Sequence, residues 1–128
     1  MDYTVIIKAS VHFGDEASSL SGYFVGNSED FDFDCPGIDP SQEAVITFQA
    51  RQVDSAKNVF RINDNVVYGG LPRTAAQGWS AQTLLVNPGA LKARGNVLHI
   101  ESRTADGRTD GDIDDFVIDN LVLFYKTS

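Results

Sequence analysis

Between Asp106 and Asn120 the chain reads DGRTDGDIDDFVIDN, with six aspartates (Asp106, Asp110, Asp112, Asp114, Asp115 and Asp119) in fifteen positions that run directly into an apolar stretch. Carboxylates at this density suit a hard cation, because calcium takes six to eight oxygens from carboxylates, carbonyls and water. Asp110, Asp112 and Asp114 alternate, so an extended backbone places them on one side. Repulsion within such a row is relieved by a divalent cation. The twelve-residue EF-hand loop fails in both registers. Counted from Asp106, Arg108 falls at position three and Val117 at position twelve; counted from Asp110, Asp115 stands where glycine is needed and Leu121 where a glutamate belongs. Two alternatives remain for the row. It is a looser calcium site, or a solvated loop turned by Gly107 and Gly111 with Arg108 offsetting part of the charge.

Asp119 is a separate candidate ligand. Strict alternation along the last strand puts Val117, Asp119, Leu121, Leu123 and Tyr125 on one face and Phe116, Ile118, Asn120, Val122 and Phe124 on the other. Both faces are largely apolar, as in a strand covered on both sides. A carboxylate buried there must be paired, hydrogen-bonded or metal-bound. Loop amides and calcium are the two partners to weigh for it.

A different chemistry is offered by Tyr68, Arg73, Gln77 and Trp79, which flank a loop containing Pro72 and Gly78. An aromatic ring stacks on the apolar face of a sugar while amide and guanidinium groups bond its hydroxyls. The alternative for Trp79 is a core residue or loop anchor. In EDFDFD, Asp30, Asp32 and Asp34 alternate with Phe31 and Phe33, the pattern of an edge strand that buries its rings and guards its edge with charge. His12 and His99 have no neighbouring ligands in zinc spacing, and Cys35 reads as a small buried hydrophobe.

These side chains need a frame, and the frame is all-β. YTVIIKASVHF, LSGYFVG, DFDFD, EAVITFQAR, NVFRIN, VVYGG, QTLLVN, NVLHIES and FVIDNLVLFYK are short and rich in β-branched and aromatic residues, with Gly, Asn, Asp, Ser or Pro between most of them. Such spacing predicts one antiparallel β-sandwich over residues 1–128. Asp64-Asn65 is expected to turn a hairpin after Asn63. Residues 88–95 hold the only candidate helical turn, which carries Leu91 inward before Gly95 reverses the chain.

The bulk properties bound the partners. A chain of 128 residues can bury a core without staples, and its single cysteine allows no intrachain disulfide. Its net charge of −8 argues against nucleic acid and anionic membranes, which need Lys and Arg. No apolar run approaches a membrane span, and MDYTVIIKAS lacks the form of a signal peptide. The G-x-S-x-G, Gly-rich phosphate-loop and H-E-x-x-H signatures are absent, so no enzyme is expected.

FRINDNVVYGGLP, a spacer ending in Trp79, and QTLLVNPGALKARGNVLHIES together resemble the galactose-binding-like jelly rolls. In those domains a strand bearing Ile/Leu-Asn precedes a hairpin, and a leucine followed by Gly-Asn-x-aliphatic-x-Ile comes after it. FVIDNLVLFYK is similar to their closing strand, in which an aspartate often ligates a structural calcium; Asp119 stands at that place. The resemblance covers residues 59–125 and implies a jelly-roll fold found in non-catalytic carbohydrate-binding modules and glycosidase accessory domains. The expectation is therefore a carbohydrate-binding module with a structural calcium held among Asp110, Asp112, Asp114 and Asp119. Its alternative is a structural or adaptor domain of the same fold that contacts protein or self-associates as a homo-oligomer.

Overall fold

Alternating apolar side chains draw the chain into strands rather than helices. The computed structural model describes residues 1–67, 69–74 and 78–128. Among these lie β1 (Asp2–Ile7), β2 (Val11–Phe13), β3 (Tyr23–Gly26), β4 (Ser28–Phe33), β5 (Ala44–Arg51), β6 (Val59–Ile62), β7 (Asn65–Val66), β8 (Ser80–Val86), β9 (Asn96–Glu101) and β10 (Phe116–Tyr125). They form two sheets. One runs β3-β2-β10-β5-β8 with β1 also on β10, and the other runs β4-β9-β6-β7. Every pairing is antiparallel except β2 with β3. β1 takes the C-terminal half of β10 and β2 its N-terminal half, both along the edge opposite β5.

The sheets pack through aromatic contacts that cross between them. Phe48 of β5 meets Phe60 of β6 at 5.4 Å between ring centroids, and Phe13 of β2 meets Phe31 of β4 at 6.3 Å. Phe13 also stacks on Phe116 at 5.1 Å. Ile46, Ile62, Leu98, Ile100, Leu121 and Leu123 are fully buried around them. Each such side chain contributes about 1.5–3 kcal/mol by leaving water. The architecture is thus an all-β, two-sheet sandwich. No helix among the described residues is long and apolar enough to cross a membrane.

Two local expectations shift. The hairpin between β6 and β7 turns on Asn63 and Asp64, whose φ angles of 48° and 64° are the left-handed pair a two-residue loop requires. The turn therefore comes one residue earlier than the sequence suggests. Residues 88–95 form no helix; hydrogen bonds from Asn63 Nδ2 to the Ala90 carbonyl and from the Lys92 N–H to Asn96 Oδ1 fold them, and Leu91 is buried.

The larger correction is in β10. Opposite β5 its register jumps from Asp119↔Gln49 to Val122↔Thr47, so β10 carries one extra residue, and Asn120 there has φ 48°. This β-bulge inverts the alternation. Phe116 and Ile118 before it share the inner face with Leu121, Leu123 and Tyr125 after it, all essentially inaccessible. The outer face beyond the bulge is Asn120, Val122 and Phe124.

Candidate functional site

The acidic segment leads into β10, and its carboxylates separate as the chain descends into the sandwich. Asp110 is exposed with only a 3.7 Å contact to Arg108, and Asp112 is exposed. Asp106 accepts from the Thr104 hydroxyl at 2.5 Å and from Arg108 Nε at 3.2 Å, and these bonds hold its carboxyl below the usual carboxylate range.

Asp114 is buried. Its Oδ2 accepts the backbone N–H of Asp54 at 2.9 Å, that of Ser55 at 3.0 Å and Asn58 Nδ2 at 2.8 Å. Ser55 Oγ donates to the Thr104 carbonyl at 2.8 Å, and the Arg103 N–H donates to Asn58 Oδ1 at 2.8 Å. This network ties the segment before β6 to the acidic segment. Burial raises the Asp114 carboxyl above its ordinary range, and the three donors only partly offset that.

The next residue turns the other way. Asp115 Oδ1 accepts from His12 Nε2 at 2.7 Å, and His12 is inaccessible, with Phe24 at 5.0 Å and Nδ1 without a hydrogen-bond partner among the described residues. Asp15 lies against the same carboxylate. Desolvation, then the hydrogen bond and charge of Asp115, and then Asp112 hold the Asp15 proton more tightly than usual. Asp119 accepts from Ser10 Oγ at 2.9 Å and from the Asn120 N–H at 2.7 Å.

Asp110, Asp114 and Asp119 thus face different partners, and Asp112 is exposed. Among the described residues no group of three or more His, Cys, Asp and Glu is arranged to hold a metal ion. The donor chemistry points the same way at Asp114, since its occupied oxygen faces three N–H groups where a cation would need oxygens. The residues as arranged do not fit a calcium cage.

Of the four residues read as a sugar platform, Tyr68 and Gln77 lie outside the described residues. Arg73 is exposed, and Trp79 is 46% exposed immediately before β8. Trp79 directly precedes the exposed odd-numbered series Ala81, Thr83 and Leu85, which lies on the outer face of the six-stranded sheet. Beside that series lies a shallow groove of about 320 Å³ between β8, β5 and β10. Thr47, Gln49, Ala81, Thr83, Asn120 and Val122 line it, and none is charged. Asn120 Nδ2 donates to Gln49 Oε1 at 3.1 Å, a bond that exists because the bulge turns Asn120 outward. No family model matches this sequence, and no curated protein or solved structure is significantly similar to it.

Further along the same face the registers align Tyr3, Phe124, Val45 and Leu85 in a row across four strands. Tyr3 is 61% and Leu85 43% exposed, and the Tyr3 and Phe124 rings lie 6.1 Å apart. Sequence reasoning missed Gln49, Thr47, Thr83 and Asn120, because their convergence depends on strand order. The alternation in EAVITFQAR does mark Thr47 and Gln49 as sharing a face.

The four-stranded sheet presents a charged outer surface instead. His99 Nδ1 lies 2.5 Å from Asp30 Oδ1 and its Nε2 3.2 Å from Glu101 Oε1, while Arg103 pairs with Glu101. Phe31 and Phe33 point inward beneath exposed Asp30 and Asp32. Cys35 is buried, and burial followed by the charge of Asp34 pushes its thiol up to about 12.

Proposed function

We propose that the chain is a non-catalytic binding module of galactose-binding-like jelly-roll type that takes a neutral carbohydrate on the outer face of the six-stranded sheet. The observation that carries this is the uncharged groove of Thr47, Gln49, Thr83 and Asn120 in a protein of net charge −8, with exposed Trp79 immediately before β8, which lines the groove. Sugar hydroxyls are bound by amides and hydroxyls, each of which both donates and accepts, and sugar C–H faces stack on aromatic rings. Structural calcium is no part of this support.

Affinity electrophoresis through gels of neutral and of anionic polysaccharides tests it. Retention is expected on a neutral polymer, and Trp79→Ala and Gln49→Ala should each weaken it about tenfold or more, equivalent to about 1.4 kcal/mol. Both residues are exposed, so the melting temperature should stay within a few degrees. No retention on any neutral polymer, or retention unchanged in both variants, would overturn the proposal. The Tyr3–Phe124–Val45–Leu85 row favours a second reading, an adaptor that buries this face against protein. Retention that fails everywhere, together with association lost in Tyr3→Ser, would select it.

A further inference from the structure

We infer that the chain forms a twofold dimer by antiparallel pairing of β8 with β8 of a second copy. β8 is a seven-residue strand at the edge of its sheet, SAQTLLV, with no charged residue in a chain that is 22% charged. Among the described residues its strand partner is β5 alone, and no loop or side chain hydrogen-bonds its other edge. Exposed edges template further pairing unless charge, proline, a bulge or shortness blocks them. The other edges carry such blocks. β4 has Glu29, Asp30 and Asp32; β1 has Asp2 and a register break between Val5 and Ile7; β3 and β7 are four and two residues long. β8 has none, and its register with β5 is unbroken over seven pairs. Its inward Leu84 is only half-buried, whereas Ile46 opposite it on β5 is fully buried, so Leu84 lacks a neighbour on its outer side.

The strand is also complementary to itself. Laid antiparallel about Thr83, it sets Thr83 against Thr83 of the second copy, Gln82 against Leu84 and Ala81 against Leu85. Threonine pairs and apolar pairs of this kind stabilise neighbouring strands. Two copies that each carry −8 repel one another over most of their surfaces, and an uncharged edge is where they can meet. The twofold axis runs perpendicular to the sheet and joins the two six-stranded sheets into one of twelve. Both grooves then lie on one face, an arrangement that gives avidity for a repeating polymer. The dimer itself does not depend on what the groove binds.

Sedimentation velocity on the full chain at tens of micromolar tests the pairing. Wild type is expected to sediment at twice 13.9 kDa. Thr83→Lys and Thr83→Glu, at an exposed position that keeps the fold by circular dichroism, should each be monomeric because like charges face across the axis. An equal mixture of the two should recover the dimer. A wild type that stays monomeric, a species larger than a dimer, or a dimer that persists in both single variants would overturn the inference. So would a mixture that stays monomeric.

Discussion

Gly14 and Asp115 occupy each other's space: a Cβ on Gly14 would lie 2.0 Å from Asp115 Oδ1, 2.4 Å from its Cγ and 2.9 Å from its Cα. Only the absent side chain lets Asp115 reach His12, which the sandwich buries completely and which would otherwise have no hydrogen-bond partner among the described residues on either ring nitrogen. Gly14→Ala must push Asp115 off His12, and a cost of about 3 kcal/mol or more is expected from urea unfolding. Gly26→Ala is the control. Gly26 also has positive φ, at 87°, but nothing lies within 4 Å of its added Cβ. It should lose only about 1 kcal/mol from backbone strain. Equal losses in the two variants would show that conformation, not the contact with Asp115, sets the requirement.

Asp114 is the corresponding anchor on the other side of the segment. Asp114→Ala leaves the N–H groups of Asp54 and Ser55 without their acceptor, and leaves the Asn58 amide only its 3.3 Å bond to the Ser55 carbonyl. A loss of about 3–5 kcal/mol is expected. Asp114→Asn exposes a pH dependence. Because burial raises this carboxyl when the chain folds, the folded state holds its proton over the interval above 3.8 where the unfolded state has released it. Its contribution to stability is full below the unfolded value and is lost as pH rises through the folded value. The stability of wild type relative to Asp114→Asn should therefore fall as pH rises above 3.8 and level off once the folded carboxyl has also ionised, followed in denaturant titrations. A difference that grows over that range would mean the three donors, not burial, dominate the carboxyl.

Calcium is tested by melting the protein in excess EDTA and again in millimolar calcium. Saturation of a native-state site at about 100 times its dissociation constant adds about 2.7 kcal/mol, several degrees in a domain of this size. Asp110, Asp114 and Asp119 face different partners and Asp112 is exposed, so the expected result is the same midpoint in both. A rise of several degrees would require these carboxylates to rearrange around the ion.

Cys35 should be silent while the chain is folded. Its thiol is inaccessible and pushed up to about 12, so at pH 8 only about one in ten thousand is thiolate. A thiol reagent is expected to label it at the rate of unfolding, with full reaction in denaturant. Rapid labelling of the native protein would contradict the burial.

The features legible in the sequence are those fixed by neighbours along the chain. The period of two in EDFDFD and EAVITFQAR places Phe31, Phe33, Ile46 and Phe48 inward, and Leu91 is in the core as expected, although the turn that carries it there is not helical. What stays hidden depends on distant partners. A carboxylate held by loop amides is an expectation for Asp119, but the residue so held is Asp114, because the amides belong to a segment 59 residues away. The His12–Asp115 contact spans 103 residues. The groove depends on β5 lying between β10 and β8, an order that composition and spacing do not encode. Strict alternation also misassigns both faces of β10, because a single inserted residue reverses every later position.

That residue, Asn120, gives the last prediction. Its φ of 48° suits Asn and Gly and strains β-branched residues. Asn120→Gly should match wild type within a few tenths of a kcal/mol, and Asn120→Val should lose about 2 kcal/mol. Deleting Asn120 is a harsher test. Without it β10 would alternate strictly, and either Phe116 and Ile118 or Leu121, Leu123 and Tyr125 would turn to solvent, so no cooperative unfolding transition is expected. Ligand retention separates the two roles of the residue. Asn120→Gly keeps the bulge but removes the amide that bonds Gln49, so it should fold normally and still bind the neutral polymer more weakly. If it binds as wild type does, the bulge serves the fold alone, and the groove's polar contacts must come from Thr47, Gln49 and Thr83.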